Sequence, residues 1–167
     1  MTPGFTVIYK SSGLKLYKRK TVDNKLEFVT IVNINKGKIE NVPGGSSKSD
    51  HNKIYKKSLT EFWQDEKKIN DNTQQLKVIT NGTYFSNKNN PTGIAFGLKL
   101  PGRLPIYGYG AGNEYIGQIP TLKHFGVRRP IMLDDGGSTG LILGGKSLIH
   151  TNSTLPHAFA IYSRRNK

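Results

Sequence analysis

The sequence predicts an α+β fold: one domain, residues 1–167, in which a mixed and mostly antiparallel sheet carries one main helix and a short second helix. Short β-branched and aromatic runs outnumber helical patterns, polar or glycine-rich turns separate these runs, and one segment has a long helical periodicity. A length of 167 residues suits a single domain with a modest core, and no repeat or linker divides the chain.

The first forty or so residues predict four strands. They lie at residues 5–9, 14–18, 27–34 and 36–42. Turn signals separate the first three, and Leu14 and Leu16 alternate with Lys15, which indicates a sheet with one face in water. Residues 43–53 are rich in Gly and Ser and are predicted to form an exposed loop.

The main helix is predicted at residues 58–69. Ser58 can cap this helix and Glu61 stands three residues later, which is the spacing of a capping box. Four apolar residues at helical spacing are predicted to form the buried stripe: Leu59, Phe62, Trp63 and Ile69. We interpret Trp63 as part of the core in preference to a platform for a ligand.

The rest of the chain predicts six more strands and the short second helix. The strands lie at residues 76–80, 94–100, 130–133, 140–143, 146–149 and 157–163. The second helix lies at residues 119–126, and Gly144-Gly145 is predicted to form a hairpin turn. Residues 102–117 are rich in glycine and tyrosine, which is typical of a loop, and they lack the Gly-Lys-Ser/Thr of a phosphate-binding P-loop.

The chain is strongly basic, with 25 Lys and Arg against 11 Asp and Glu and a formal net charge of +14. Such an excess can serve solubility alone, or it can favour a partner that carries phosphate. No recognition-helix, zinc-finger or RNP-type pattern is present in the sequence, so nucleic acid is not an expected partner. The absence of cysteine excludes thiolate catalysis and Cys-ligated zinc.

Neither membrane insertion nor secretion is predicted. No apolar run approaches the roughly 18 residues that a membrane-spanning helix needs. Residues 1–9 lack the basic region and the apolar core of a signal peptide. The chain as it stands is therefore expected in the cytoplasm, and export by another route stays open.

The acidic residues are unevenly placed, which narrows the search for catalytic groups. Beyond Asp71 the carboxylates are Glu114, Asp134 and Asp135. The last two follow an apolar strand and precede the Gly-Gly-Ser-Thr of residues 136–139. A carboxylate at a strand end can bind sugar hydroxyls, hold a metal or act as a general acid or base, and glycines let a ligand approach the backbone. An ordinary Asp-Gly turn is the alternative interpretation.

A second polar motif follows the predicted strand at residues 76–80. Asn81 and Gly82 place an amide side chain and a flexible backbone at the strand end. Tyr84 and Phe85 can stack on a sugar or a base. A turn followed by two core aromatic residues would give the same pattern, so the local sequence leaves both interpretations open.

Taken together and in order, three segments resemble the phosphodiester glycosidase family. They are VITNGTYFSNKNNPTGIAFGLKL (78–100), PIMLDDGGSTGLILGGKSLI (130–149) and LPHAFAIY (155–162). The family pattern is a strand ending in Asn-Gly/Ala-x-Phe-Phe with Pro-x-Gly soon after, then a strand ending in Leu-Asp-Gly-Gly-Gly-Ser and a closing apolar strand. The N-terminal strands and the Glu-Phe-Trp of the main helix are also similar to bacterial members.

The resemblance implies a hydrolase that cleaves the glycosidic bond of a sugar or nucleotide-like phosphodiester. The ligand is then bound by Asn81, Gly82, Thr83, Tyr84, Phe85, Gly93, Gly136, Gly137, Ser138 and Thr139. Asp134 is expected to supply one catalytic group, and Asp135, Glu114 or His157 the other, because glycoside hydrolysis usually uses two carboxyl groups.

The expected partner is a small anionic phosphodiester or sugar-phosphate ligand. No cofactor is expected. No spacing of acidic residues demands a metal, although Asp134 and Asp135 with nearby hydroxyls are the ligand types that Ca²⁺ or Mg²⁺ takes.

Three departures from the family pattern favour an alternative, a non-catalytic protein that sequesters an anionic phosphodiester or nucleotide-type ligand in the same pocket. Asp135 replaces the first glycine after the aspartate, and Ser153 or Thr154 stands where an arginine is common. The segment between residues 110 and 130 is shorter than in family members. Because a neighbouring copy could complete a shortened pocket, monomer and homo-oligomer both stay open.

Overall fold

The computed structural model describes residues 4–86, 88–94, 133 and 136–164 of the chain. Within these residues the chain forms eight strands, one α-helix and one 3₁₀ turn. The strands are β1 (Thr6–Ser11), β2 (Leu14–Lys20), β3 (Leu26–Val32), β4 (Gly37–Pro43), β5 (Gln74–Asn81), β6 (Leu141–Leu143), β7 (Lys146–Ile149) and β8 (His157–Arg164). The helix α1 spans Leu59–Lys67, and the 3₁₀ turn spans Gly136–Ser138.

The strands form two antiparallel sheets, which confirms the α+β class. The N-terminal sheet has the order β1-β2-β3, and the central sheet has the order β4-β8-β5-β6-β7. A tight turn separates them after β3, where the Gly37 N–H donates to the Asn33 carbonyl at 2.8 Å. This turn sends β4 to the edge of β8, so the described residues form two sheets where one mixed sheet was predicted.

The central sheet packs on both faces because successive side chains of a strand point to opposite sides. On one face α1 covers the larger cluster: Leu59, Phe62, Trp63, Leu76, Ile79, Ile142, Leu155, Ala158, Ala160 and Tyr162. On the other face the N-terminal sheet contributes Leu14 and Leu16, which pack with Val78, Leu141 and Ile161. The described part of the fold therefore has three layers, with the central sheet in the middle.

Strand β8 lies at the centre of this arrangement, between β4 and β5. Every residue of β8 is buried except Arg164. A strand buried on both faces reads as a nearly continuous apolar run, and His-Ala-Phe-Ala-Ile-Tyr fits that pattern apart from its first residue. His157, at the start of β8, is thus placed among apolar residues by its position in the sheet.

The main helix begins where the sequence predicts, but the set of buried residues along it differs from the prediction. Ser58 and Glu61 form a reciprocal capping box. Leu59, Phe62 and Trp63 are buried as predicted, but Ile69 is 53% exposed, because the helix ends at Lys67 and no longer directs that side chain inward. Glu66 is buried instead and accepts a hydrogen bond from the Tyr162 hydroxyl of β8.

The predicted hairpin between β6 and β7 is confirmed, with both Gly144 and Gly145 at positive φ. The predicted loop at residues 43–53 contains no strand beyond Pro43, the last residue of β4, yet Ser47 within it is buried. The predictions at residues 102–117 and 119–126 lie outside the described residues, as do all but one residue each of the predicted strands at 94–100 and 130–133. Among the described residues, no helix has the length and apolarity required to span a membrane.

The buried pair of Tyr162 and Glu66 gives the first prediction. Burial raises the pKa of the Tyr162 phenol, and the hydrogen bond to Glu66 raises it further, so the phenol is neutral and donates. Tyr162→Phe leaves the Glu66 carboxylate buried without this donor, and we expect the free energy of unfolding to fall by about 1–3 kcal/mol. Urea denaturation measures the change.

Tyr55→Phe is the matched control, because Tyr55 is 45% exposed and its loss of a hydroxyl should cost less than about 0.5 kcal/mol. Equal midpoints for the two variants would show that the Tyr162 hydroxyl does not stabilise the fold.

Candidate functional site

Asn81 joins the end of β5 to the segment that precedes β6. Its side chain is buried, with 1% exposure, and its Oδ1 accepts a hydrogen bond from the Gly140 N–H at 3.1 Å. The Asn81 N–H also donates to the Gly140 carbonyl, at 3.3 Å. Thr80 adds a third connection, because its Oγ1 donates to the same carbonyl at 2.9 Å. The motif at residues 81–85 therefore lies beside the end of the motif at residues 136–139.

Gly140 is needed at this join because a larger residue does not fit. A Cβ atom there would lie 2.8 Å from Leu59 of α1 and 2.8 Å from Thr151. In the sequence, Gly140 is only the first residue of a predicted strand. A glycine at the start of a strand is common in turns, so the sequence does not indicate this packing requirement.

The 3₁₀ turn is fixed from the opposite side by two hydroxyl groups. The Gly137 carbonyl accepts hydrogen bonds from Thr151 Oγ1 at 2.7 Å and from Ser153 Oγ at 3.2 Å. Gly136 and Gly137 are exposed, and a Cβ atom at either would meet no described residue within 4 Å. The backbone of this turn is therefore held in place and open to close approach, whereas Ser138 is buried.

Ser153 was noted in the sequence as a residue standing where family members often carry an arginine. In the structure its hydroxyl positions the 3₁₀ turn through the Gly137 carbonyl. Thr151, which the sequence analysis did not single out, has the same role at a shorter distance. A Thr-x-Ser pattern in a polar loop gives no sign of this contact before the fold is known.

His157 approaches the same region from β8. The Thr83 N–H donates to His157 Nε2 at 3.0 Å, and Thr83 Oγ1 lies 3.2 Å from the same nitrogen. Since Nε2 accepts from a backbone N–H, the proton of the neutral ring resides on Nδ1. Nδ1 is buried, and it has no hydrogen-bond partner within the described part of the chain.

Burial keeps the His157 ring neutral. The side chain has 0% exposure, and desolvation lowers its pKa from the usual 6.5 to about 4. The ring edge packs against Phe159, with the ring centroids 5.6 Å apart. The lone pair of Nε2 accepts the hydrogen bond from the Thr83 N–H. His157 therefore fixes the backbone of the loop that follows β5.

Gly82 permits the contact between His157 and the loop. A Cβ atom at Gly82 would lie 2.4 Å from Cε1 of the imidazole, well inside van der Waals contact. The sequence predicts Gly82 as a flexible position that a ligand can approach. In the structure Gly82 also has a packing role, because the ring edge of His157 lies against its Cα.

The aromatic pair lies next along the chain. Tyr84 and Phe85 are both half-buried, and Phe85 pairs with Ile94 and packs against buried residues of two apolar clusters. The Lys56 ammonium lies 5.9 Å from the centre of the Phe85 ring. Phe85 therefore combines a packing role with a position beside a cation.

The remaining predicted site residues divide into two groups. Gly93 and Thr139 are half-buried, Gly93 following the buried Thr92 and Thr139 preceding Gly140. Glu114, Asp134 and Asp135 lie outside the described residues. In the part of the chain that the structure describes, no three His, Asp or Glu side chains are grouped so that they could hold a metal ion.

Comparison of the chain with known proteins found no matching family model, no matching curated protein and no matching solved structure.

The contact between Gly82 and His157 gives the second prediction. Gly82→Ala forces a methyl group against the buried imidazole, and we expect the free energy of unfolding to fall by about 1–3 kcal/mol. Gly137→Ala is the control, since open space surrounds that position and its cost should stay within about 0.5 kcal/mol. Thermal unfolding of both variants checks the difference, and an unaltered melting temperature for Gly82→Ala would contradict the packing argument.

The lowered pKa of His157 gives the third prediction. Between pH 6.5 and about 4 the unfolded chain binds a proton at His157 that the folded chain does not, so acid favours unfolding. The stabilisation by neutral His157 is fully present above pH 6.5 and is lost as the pH falls, by up to about 3 kcal/mol near pH 4. Denaturant unfolding at a series of pH values measures this loss.

His157→Gln is the matching variant, because a Gln carbonyl can accept from the Thr83 N–H and does not titrate. Its stability should fall less steeply between pH 6.5 and 4 than that of the unsubstituted protein. The acidic residues with lowered pKa values, such as Asp65, are unchanged in both proteins and cancel in the comparison. Parallel pH profiles would show that His157 does not titrate in this way.

Proposed function

We propose that the chain hydrolyses the glycosidic bond of a sugar or nucleotide-like phosphodiester, at the site where the ends of β5 and β8 meet the 3₁₀ turn. One observation supports this most strongly. Asn81, Thr83, Gly140 and His157 come from three separate parts of the sequence and are joined by hydrogen bonds at one end of the central sheet. The three segments that contain or adjoin these residues are those that carry the resemblance to phosphodiester glycosidases.

The described groups at this site suit a polar ligand with a phosphate. The open backbone of Gly136 and Gly137 lets a ligand lie directly against the main chain. The hydroxyl group of Thr83 is held at the strand end beside His157. Lys56, next to Phe85, supplies a positive charge beside the aromatic residue that would face the sugar. Together these groups offer hydrogen bonds for hydroxyls, a ring for stacking and a cation for the phosphate.

The reaction consumes one water molecule and requires one catalytic group that activates the water or attacks the sugar. The phosphate leaving group requires little stabilisation by an acid. Water adds to C1 of the sugar, the bond from C1 to the phosphate oxygen breaks, and the products are the free sugar and a phosphate monoester. Asp134, which stands two residues before the 3₁₀ turn in the sequence, is assigned the role of base or nucleophile. Because phosphate leaves readily, protonation of the leaving oxygen matters less than in an ordinary glycoside.

A second function is favoured by the surroundings of His157. This side chain is fully buried and its Nε2 is bonded to the backbone of Thr83, so among the described candidates no accessible acid or base is present. If the carboxylates do not supply one, the same site binds a phosphodiester without cleaving it. The chain would then sequester an anionic phosphodiester or nucleotide-type ligand.

The two functions are separated by incubating the protein with sugar 1-phosphate methyl diesters of N-acetylglucosamine, glucose and mannose in ¹⁸O-labelled water. Phosphorus NMR follows the change from diester to monoester, and mass spectrometry finds the label. Label in the sugar demonstrates glycosidic cleavage, whereas label in the phosphate shows attack at phosphorus and contradicts the proposed reaction. Unchanged diester that is recovered from the denatured protein supports the binding function.

Asp134→Asn gives the fourth prediction. If Asp134 activates water or attacks C1, the substitution should lower the rate of hydrolysis by about 10²–10⁴-fold while the diester still binds. Initial rates and equilibrium dialysis measure the two properties. Asp135→Asn tests the neighbouring carboxylate, and Asp50→Asn is the control at a carboxylate in the loop before α1. A rate for Asp134→Asn equal to that of Asp50→Asn would remove Asp134 from the reaction.

A further inference from the structure

The outer face of the N-terminal sheet is the side that the central sheet does not cover. Leu14 and Leu16 of β2 point inward to the core, so the alternate residues Lys15 and Tyr17 point outward. The strand register places outward residues of β1, β2 and β3 opposite one another. Two rows of three form this outer face: Lys10, Lys15 and Ile31, and next to them Val7, Tyr17 and Val29.

The first row contains a pair of like charges. Lys10 and Lys15 are direct register partners, and both are exposed. Like charges directly opposite each other destabilise an antiparallel pair of strands. The ion pairs among the described residues use other lysines and arginines, so no described carboxylate relieves this repulsion. An anion bound between the two ammonium groups would relieve it.

The second row presents an aromatic ring between two apolar side chains. Tyr17 lies between Val7 and Val29, and Val7 is 47% exposed. The two rows are two residues apart along β2, which corresponds to about 6.6 Å. A half-buried aromatic ring between apolar side chains, beside two cations, matches the two requirements of a single nucleic-acid strand, a surface for stacking and positive charge for the backbone.

Beyond Tyr17, the charged residues of the described part of the outer face are Arg19 and Glu27, which pair with each other. The Arg19 guanidinium donates to Glu27 and lies 4.4 Å from the centre of the Phe5 ring. The positive charge available to a ligand on the described part of this face is therefore concentrated at Lys10 and Lys15. A single nucleic-acid strand lying across the face would place a phosphate at the lysine pair and a base over Tyr17.

We propose that the outer face binds single-stranded nucleic acid, with a phosphate between Lys10 and Lys15 and a base stacked on Tyr17. A second copy of the chain suits this face less well, because a two-fold contact would bring the same lysine pair against itself. An acidic peptide or an anionic membrane would use the lysines but not the ring. This inference does not depend on the proposed function, since the outer face and the strand-end site share no residue.

The lysine pair is tested by the salt dependence of binding. The full chain is titrated into a fluorescein-labelled 15-nucleotide oligo(dT), and fluorescence anisotropy gives Kd between about 50 and 200 mM salt. Replacing both lysines, by Lys10→Gln with Lys15→Gln, should reduce the slope of log Kd against log salt by about 0.7, because one phosphate lies between the two ammonium groups and each phosphate contact on a single strand contributes about 0.7.

The control replaces two lysines outside the face, by Lys20→Gln with Lys67→Gln, and so changes the net charge equally. Both residues are exposed, and Lys20 stands on the opposite face of β2. A slope unaltered by the control supports the proposal. Equal slopes for the two double variants, or no binding at low salt, would overturn it.

The ring is tested by two substitutions at Tyr17. Tyr17→Ala should weaken oligo(dT) binding by about 5- to 150-fold, and Tyr17→Leu, which keeps an apolar side chain in the sheet, should weaken it comparably. Duplex DNA of the same length should bind equally to all three proteins because its bases are not available for stacking. Unchanged oligo(dT) binding by Tyr17→Leu would contradict the proposal. Binding of poly-glutamate or of phosphatidylserine vesicles by the unsubstituted protein, without binding of oligo(dT), would also contradict it.

Discussion

The burial of strand β8, in which every residue but Arg164 is buried, is the constraint on which the rest of the described structure depends. Its side chains contribute to both apolar layers, with Tyr162 facing α1 and Ile161 facing the N-terminal sheet. Both of its edges are paired, with β4 on one side and β5 on the other. Because β8 is closed on all sides, the first residue of this strand cannot move independently, and His157 is fixed in the end of the sheet.

The candidate site is built on that fixed end. His157 holds the backbone of Thr83, and Asn81 holds Gly140, so two loops that face one another are tied to neighbouring strands by side chain to main chain hydrogen bonds. Such bonds restrain loops that carry no regular structure of their own. The strands position such loops, while the backbone at Gly136 and Gly137 stays exposed.

The sequence was sufficient for features that depend on nearby residues. The capping box of Ser58 and Glu61, the Gly144-Gly145 turn and the positions of the eight strands within the described residues follow from local patterns, and the structure agrees with them. Features that depend on distant residues were missed. Ile69 is predicted to be buried because periodicity does not reveal where a helix ends. Gly140 is required only because Leu59 and Thr151 pack against it, and neither is adjacent to it in the sequence. The proximity of the two polar motifs was expected from the resemblance, whereas the division into two sheets was not.

The position of the single tryptophan has a practical consequence. Trp63 is buried in the cluster under α1, and its indole borders the turn at Gly145 that joins β6 to β7. The chain contains one tryptophan and eight tyrosines, so emission excited selectively from the indole arises at one known place in the fold. Tryptophan emission of the unlabelled protein thus reports on the packing of α1 against the central sheet and the adjoining turn, and a probe for refolding studies is already built into the molecule.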